Sequence, residues 1–286
     1  MSSSSPSAPD GDENAARGTR MARREGRARR EYWSVEQRRQ PGRPARQVAF
    51  EPRGRAAGGR PTRLLVVAAT PGEIAPVVER LGDGIDNGLL RSYCRHTTQI
   101  DVLITGVGMV PTAVWCTRAL AKTRYDLCIN CGVCGSFDPA LAPGTVVRVA
   151  SDRIAGLGAE SGDELLSLAE LGLAEAGPHK LSGGGELRAA CPANAAIRTL
   201  PAVRGITVNA VHGSERSIRL AVERFQPQVE SMEGAAFMYA CMAHGVELAQ
   251  IRAVSNVVEP RNRQAWKLPE AIASLGEAAL RILDQT

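Results

Sequence analysis

Residues 63–286 predict a single α/β domain, three-layered as α/β/α, around a mixed, largely parallel central sheet. Three observations predict it. Apolar strand-like runs alternate with helical patterns along this stretch, the arrangement that builds a sheet covered by helices on both sides. The first run, Arg63 to Ala69 ("RLLVVAA"), is almost continuously apolar, as a strand buried on both faces must be. No internal repeat interrupts the pattern.

The elements follow in order. "GEIAPVVERL" (72–81) has helical spacing, "QIDVLITGVG" (99–108) is a strand entering a Gly turn, and "MVPTAVWCTRALAKT" (109–123) is its helix. Strand patterns return in "DLCINCGVCG" (126–135) and "GTVVRVASD" (144–152). A polar, Gly-rich stretch runs from about 156 to 185, and "VRGITVNAVHG" (203–213) then reads as a strand. "SERSIRLAVERF" (214–225) is amphipathic, and "VESMEGAAFMYACMAHG" (229–245) predicts a buried helix opening with Glu230 and Glu233. "ELAQIRAVS" (247–255) closes the strands, and "LPEAIASLGEAALRIL" (268–283) is an amphipathic helix.

Charge divides the chain. Residues 1–62 hold 14 Arg, no Lys and seven Asp or Glu, a net of +7; with +5 for the whole chain, residues 63–286 carry −2. The basic character thus belongs to the N-terminal stretch, which is rich in Ser, Pro, Gly and Arg and poor in apolar residues. Such a composition cannot bury enough surface to offset chain entropy, so residues 1–62 read as a disordered, solvated extension preceding the domain over 63–286. A near-neutral domain argues against a nucleic-acid binder, and no apolar run in the extension has the length of a signal or membrane span. Seven Cys without a regular framework fit a reducing cytoplasm. Cys128, Cys131 and Cys134 have the i, i+3, i+6 spacing of an iron–sulfur run, but no fourth Cys stands near. On a strand Cys128 and Cys131 point to opposite faces, which suits separate buried residues better than one metal.

Ligands of α/β folds bind where strands end, and four ends here carry unusual chemistry. Glu73 follows the first strand in "ATPGE", in the first turn of a helix whose dipole favours a carboxylate; an ordinary helix-start acid is the plain alternative. "TGVGMVPT" (105–112) is a tight Gly turn lacking the third Gly of a dinucleotide fingerprint. "NCGVCGS" (130–136) reads as another Gly turn, open to backbone approach. Asn256 ends "RAVSN", where a loop cap is the plain alternative.

Taken together, "VAATPGE", "NCGVCGS", "MEGAAF" and "RAVSN" resemble the nucleoside phosphorylase and nucleosidase superfamily across essentially all of 63–286. The longer strings "SDRIAGLGAESGDELLSLAELGL", "VESMEGAAFMYACMAHG" and "RAVSNVVEPRNRQAW" resemble, more narrowly, its futalosine hydrolases. The resemblance implies an N-glycosidase that releases hypoxanthine from futalosine, a step of menaquinone biosynthesis. A methylthioadenosine/adenosylhomocysteine nucleosidase and a purine nucleoside phosphorylase are the alternatives. It implies that Glu233 accepts from both ribose hydroxyls, with Met232 packed beneath the sugar. Glu73 would orient and deprotonate the attacking water, and the backbone of Val133, Cys134 and Gly135 would line the cavity. Phosphorylases of the superfamily carry a Gly-Asp-Pro-x-Arg turn after the first strand; here the place reads "ATPGEIAP", without Arg, which points to water as nucleophile. Asn256 stands where adenine-cleaving relatives hold Asp, and its amide suits the 6-oxo group and N7 of hypoxanthine.

Glu230 has no counterpart and reads as a structural residue or ion-pair partner. His212 lies where relatives contact the base or its cover loop, though a lone His there is a satisfied structural residue at least as often. Arg153, Arg261 and Arg263 are candidates to meet the substrate's carboxylate. The resemblance further implies no metal or organic cofactor, a small-molecule nucleoside as substrate, no membrane or nucleic-acid partner, and a homo-oligomer of two or more copies.

Overall fold

The computed structural model describes residues 62–162, 164–173 and 185–286. The extension expected over 1–62 lies outside the described residues except for Thr62, which begins the first strand.

Twelve strands are present among the described residues. β1 (Thr62–Ala68), β4 (Thr98–Ile104), β5 (Leu127–Ser136) and β12 (Leu248–Val257) form the centre of one large sheet, flanked by β2 (Ile85–Asp86), β3 (Leu90–Arg95), β6 (Val146–Ile154), β9 (Glu186–Arg188), β10 (Ala202–Thr207) and β11 (Val229–Ser231). The order is β11-β10-β6-β12-β5-β1-β4-β3-β2, with β9 beside β6. Pairings β1–β4, β1–β5, β5–β12, β6–β10 and β10–β11 are parallel, whereas β6–β12, β3–β4 and β2–β3 are antiparallel. The sheet is therefore mixed, as the alternating pattern predicts. One feature was not legible: β11 also pairs antiparallel with β5, so β11, β10, β6, β12 and β5 close into a ring. β7 (Gly158–Ser161) and β8 (Glu164–Ser167) form a separate hairpin within the Gly-rich stretch.

Helices cover both faces. α1 (Pro71–Leu81) and α6 (Leu268–Leu283) pack on one side, burying Ile74, Val77, Leu275 and Ile282 against Leu64, Val66, Ile100 and Ile251. α2 (Met109–Lys122) and α5 (Gly234–His244) pack on the other, where Cys116, Phe237 and Met238 meet Leu65, Val67 and Leu103. A short α3 (Ala195–Arg198) and the amphipathic α4 (Glu215–Phe225) complete the set. Each buried aliphatic side chain contributes about 1.5–3 kcal/mol.

Two local expectations require correction. Residues 229–231 form a strand rather than the start of the buried helix, which begins only at Gly234. Glu230 thus stands on β11, because pairing with β10 and β5 takes up that backbone. Likewise "NCGVCGS" is no turn: β5 runs straight through Gly132 and Gly135 to Ser136. Its partners explain the glycines. A Cβ at Gly132 would stand 2.5 Å from Arg252 Nη1, and one at Gly135 would stand 2.8 Å from Val258 Cγ2, so both admit side chains from neighbouring strands rather than bend the chain.

Candidate active site

The site is built on strand ends around Gly132 and Gly135. Thr70 caps α1, and Glu73 in the first turn completes a capping box: its Oε2 accepts from Thr70 N and Oγ1, each at 3.0 Å. That is the plain helix-start role. Its other oxygen, Oε1, crosses to β5 and accepts from Val133 N at 3.1 Å. The carboxylate is therefore clamped at both oxygens by backbone of two elements.

Arg252 lies beside it. Its side chain is 1% exposed, and its Nη2 donates to Asn130 Oδ1 at 2.5 Å. A buried guanidinium needs compensating anions, and two carboxylates stand near it. Glu73 Oε1 and Arg252 Nη1 both crowd the position of a Gly132 Cβ, at 3.0 and 2.5 Å, and Glu233 Oε2 stands 4.0 Å from Arg252 Nη2. Glu233 occupies the N-cap position of α5 but makes no side-chain cap bond; its Oε1 accepts from Gly108 N at 3.0 Å, in the turn before α2. Gly108 has φ +101°, a region where glycine avoids strain. Two acids around one buried cation leave a net negative charge, suited to stabilising a cationic, oxocarbenium-like sugar.

Beneath α5 a second network holds its first turn. Thr207 Oγ1 accepts from Ala235 N at 2.8 Å and donates to Asp152, which also accepts from Gln250 Nε2 at 3.1 Å. Burial pushes the Asp152 carboxyl up to about 6, against these hydrogen bonds. Burial also pushes the Cys131 and Cys134 thiols up to about 12, with Arg252 pulling the other way, so both are neutral thiols.

Asn256 reaches the same region through a bulge. Val254 pairs with Cys134 and Asn256 with Gly135, leaving Ser255 unpaired in the ladder; such bulges re-aim the following side chain. Ser255 Oγ reaches Cys134 O and Asn256 Oδ1, at 3.1 and 2.9 Å, while Asn256 Nδ2 donates to Val257 O at 2.9 Å. An amide nitrogen carries two hydrogens, so one stays available. Gly135, Val211, His212, Glu230, Asn256 and Trp266 line an open cleft here.

Glu73 and Glu233 thus both stand near Arg252, with Gly135 three positions beyond Gly132 on β5 and Asn256 paired to it from β12. Val133 contributes its N–H to Glu73. Cys134 turns its side chain into the core with Leu141, Val147 and Val229. Met232 is half-buried against Ile206 and Phe225. The cysteine triplet is split: Cys128 packs on the α2–α5 side and Cys131 on the α1–α6 side. Of the three arginine candidates, Arg261 lines the cleft, Arg153 stands 3.6 Å from Glu186, and Arg263 is exposed on a 3-10 turn. Sequence reasoning missed Arg252; its signal was a charged residue inside the strand pattern "AQIRAVS", four positions before Asn256.

No helix among the described residues is long and apolar enough to cross a membrane. The family model of the phosphorylase superfamily matches residues 63–285. The chain is 35% identical over 184 residues to the futalosine hydrolase of Streptomyces coelicolor, covering 62% of this chain and 76% of that protein. It is 32% identical over 223 residues to the futalosine hydrolase of Acidothermus cellulolyticus, covering 76% and 88%. Among solved structures, the fold matches a futalosine hydrolase of Helicobacter pylori with TM-score 0.67 at 16% identity, covering 79% of this chain and 98% of that one. It also matches a 5'-methylthioadenosine/S-adenosyl homocysteine nucleosidase of the same organism with TM-score 0.68 at 16% identity, covering 80% and 100%. At that identity the structures speak for the fold, and the sequence matches carry the kinship: the chain belongs to the phosphorylase superfamily, in the family of the futalosine hydrolases.

Proposed function

We propose that the protein hydrolyses the N-glycosidic bond of futalosine, releasing hypoxanthine and dehypoxanthine futalosine. The observation that supports this best is Glu73, a carboxylate clamped by Thr70 and Val133 beside Arg252. A clamped acid can orient one water and take a proton from it, whereas a phosphate nucleophile would meet two carboxylates there. In this reading the C1′–N9 bond breaks as the water oxygen bonds to C1′. Glu73 receives a water proton, the departing hypoxanthine anion takes one from solvent, and Glu73 returns its own to solvent, which closes the balance. Glu233 holds the ribose diol with Met232 beneath the sugar, and Asn256 donates to O6 or N7 of the base. Val133, Cys134 and Gly135 form the wall along β5.

The test is incubation with futalosine, inosine and methylthioadenosine, each with and without phosphate, followed by identification of bases and sugars. Phosphate-independent hypoxanthine release, strongest from futalosine, is the expected result. Adenine release overturns the reading of Asn256, and a sugar phosphate overturns the hydrolase.

The finer reading of assembly and location is a cytoplasmic homo-oligomer. All seven cysteines are free, as a reducing compartment keeps them. Val107, Val110 and Val114 are 55%, 74% and 54% exposed around the turn that carries Gly108, an apolar stripe that a second copy would cover. Sedimentation should show a dimer or larger, shifted toward monomer by Val110→Glu.

A further inference from the structure

We infer that His212, oriented by Glu230, accepts the N1–H of a 6-oxopurine and so sets base selectivity alongside Asn256. The inference rests on the nucleosidase reading above and adds a specificity residue to it.

Three neighbouring strands place the parts side by side. Glu230 on β11 and Asn256 on β12 both pair with Gly135 of β5. Glycine leaves the space between them open: a Cβ there would lie 3.4 Å from Asn256 Nδ2 and 3.5 Å from Glu230 Cγ. His212 closes the same cleft from the loop after β10. Glu230 is 3% exposed and commits its carboxylate to this loop. It accepts from His212 N at 3.1 Å, and its Oε2 stands 2.5 Å from His212 Nδ1. Phe137 holds the ring from its edge, with centroids 6.0 Å apart.

A carboxylate can only accept, so the Nδ1 proton is fixed toward Glu230. In the neutral ring Nε2 is then an acceptor, and among the described residues no hydrogen bond engages it. Asn256 beside it keeps one amide hydrogen. The cleft thus presents an acceptor next to a donor. A 6-oxopurine presents N1–H next to O6, the complementary pair. A 6-aminopurine presents a lone pair at N1 and hydrogens at N6, and meets like with like at both positions. Glu230 never touches the base in this arrangement; it is a positioning residue for His212.

The test is calorimetric titration of hypoxanthine and of adenine into the full chain and two variants. Wild type should prefer hypoxanthine. His212→Phe keeps the ring shape and loses the acceptor; hypoxanthine should bind about 10–100-fold more weakly, with adenine nearly unchanged. His212→Gln restores an acceptor but can rotate its amide. It should recover much of the hypoxanthine affinity and raise that of adenine. Equal weakening of both bases by His212→Phe assigns His212 a structural role and overturns the proposal, as does an unchanged ratio or a wild type that binds neither base. If wild type binds hypoxanthine selectively yet hydrolyses no nucleoside, the enzymatic reading fails while the ratio still judges His212.

Discussion

The central sheet has two parts, the closed ring and the open remainder, built from different strands and burying different chemistry. In the open remainder, β1 next to the ring buries Leu64, Leu65, Val66, Val67 and Ala68 in succession between helix layers. At the closed end, the ring strands bury Asn130, Asp152, Thr207, Glu230, Gln250, Arg252 and Ser255. A buried acid alone does not mark a site. Asp101, near the open edge, is 2% exposed and bound by Ser92, Gln99 and Tyr125, a self-contained structural network. What distinguishes the closed end is that Glu73 and Glu233, from two different helices, both stand near one buried guanidinium. Polar groups cost free energy inside a protein unless matched, and here the matching runs between elements instead of within one.

The sharpest break of this comparison is Glu73→Gln. With Glu73 as the proposed base, its loss should lower kcat by about 10²–10⁴. The amide oxygen still serves Thr70, but the amide nitrogen faces the Val133 N–H, so the thermal midpoint should fall as well, by the equivalent of about 1–3 kcal/mol of stability. The mirror experiment is Leu65→Ala at the open end. It should cost about 2–5 kcal/mol in denaturant unfolding with turnover per folded molecule unchanged. If instead Leu65→Ala abolished turnover in folded protein, the two ends would not be separable.

Much of the open end was legible in the sequence because periodicity reports burial. "RLLVVAA" and the α1, α2 and α6 patterns each announce which face is covered. Glu73, Glu233 and Asn256 were legible through motif resemblance, whose roles the biochemical tests above address. Arg252 was not, since an arginine in a strand ordinarily points to solvent, and only the acids from α1 and α5 reveal otherwise. Three-residue β11 is too short to show alternation, and the Gly132 and Gly135 positions read as turn signals. Their cause, side chains arriving from β12, lies more than a hundred residues downstream.

The third prediction concerns Asp152. Its folded value of about 6 exceeds the ordinary 3.8 because of burial, so between these values the native state holds more protons than the unfolded one. Stability from this group is fully present below about pH 4, declines as pH rises to about 6, and stays reduced above, by at most about 3 kcal/mol. Urea unfolding of wild type and Asp152→Asn across pH 4–7 should show that only wild type carries this downward contribution. An identical slope in both proteins removes Asp152 as its source. The smallest expected effect is Gly132→Ala. Its methyl would push Arg252 Nη1 and Glu73 Oε1, and a shift of that size should cost about 10² in kcat/KM. Binding of free hypoxanthine at the Gly135 cleft should persist.

The bond from Gly108 N to Glu233 joins residues 125 positions apart, and that from Arg252 to Asn130 joins residues 122 apart. Contacts of such span form late, because a long loop must close before they return any free energy. The open end can collapse on nearby contacts while the ring is still unjoined. Refolding followed by helical signal should therefore run ahead of recovered turnover, and the enzyme acquires its chemistry only when the ring of strands is drawn shut.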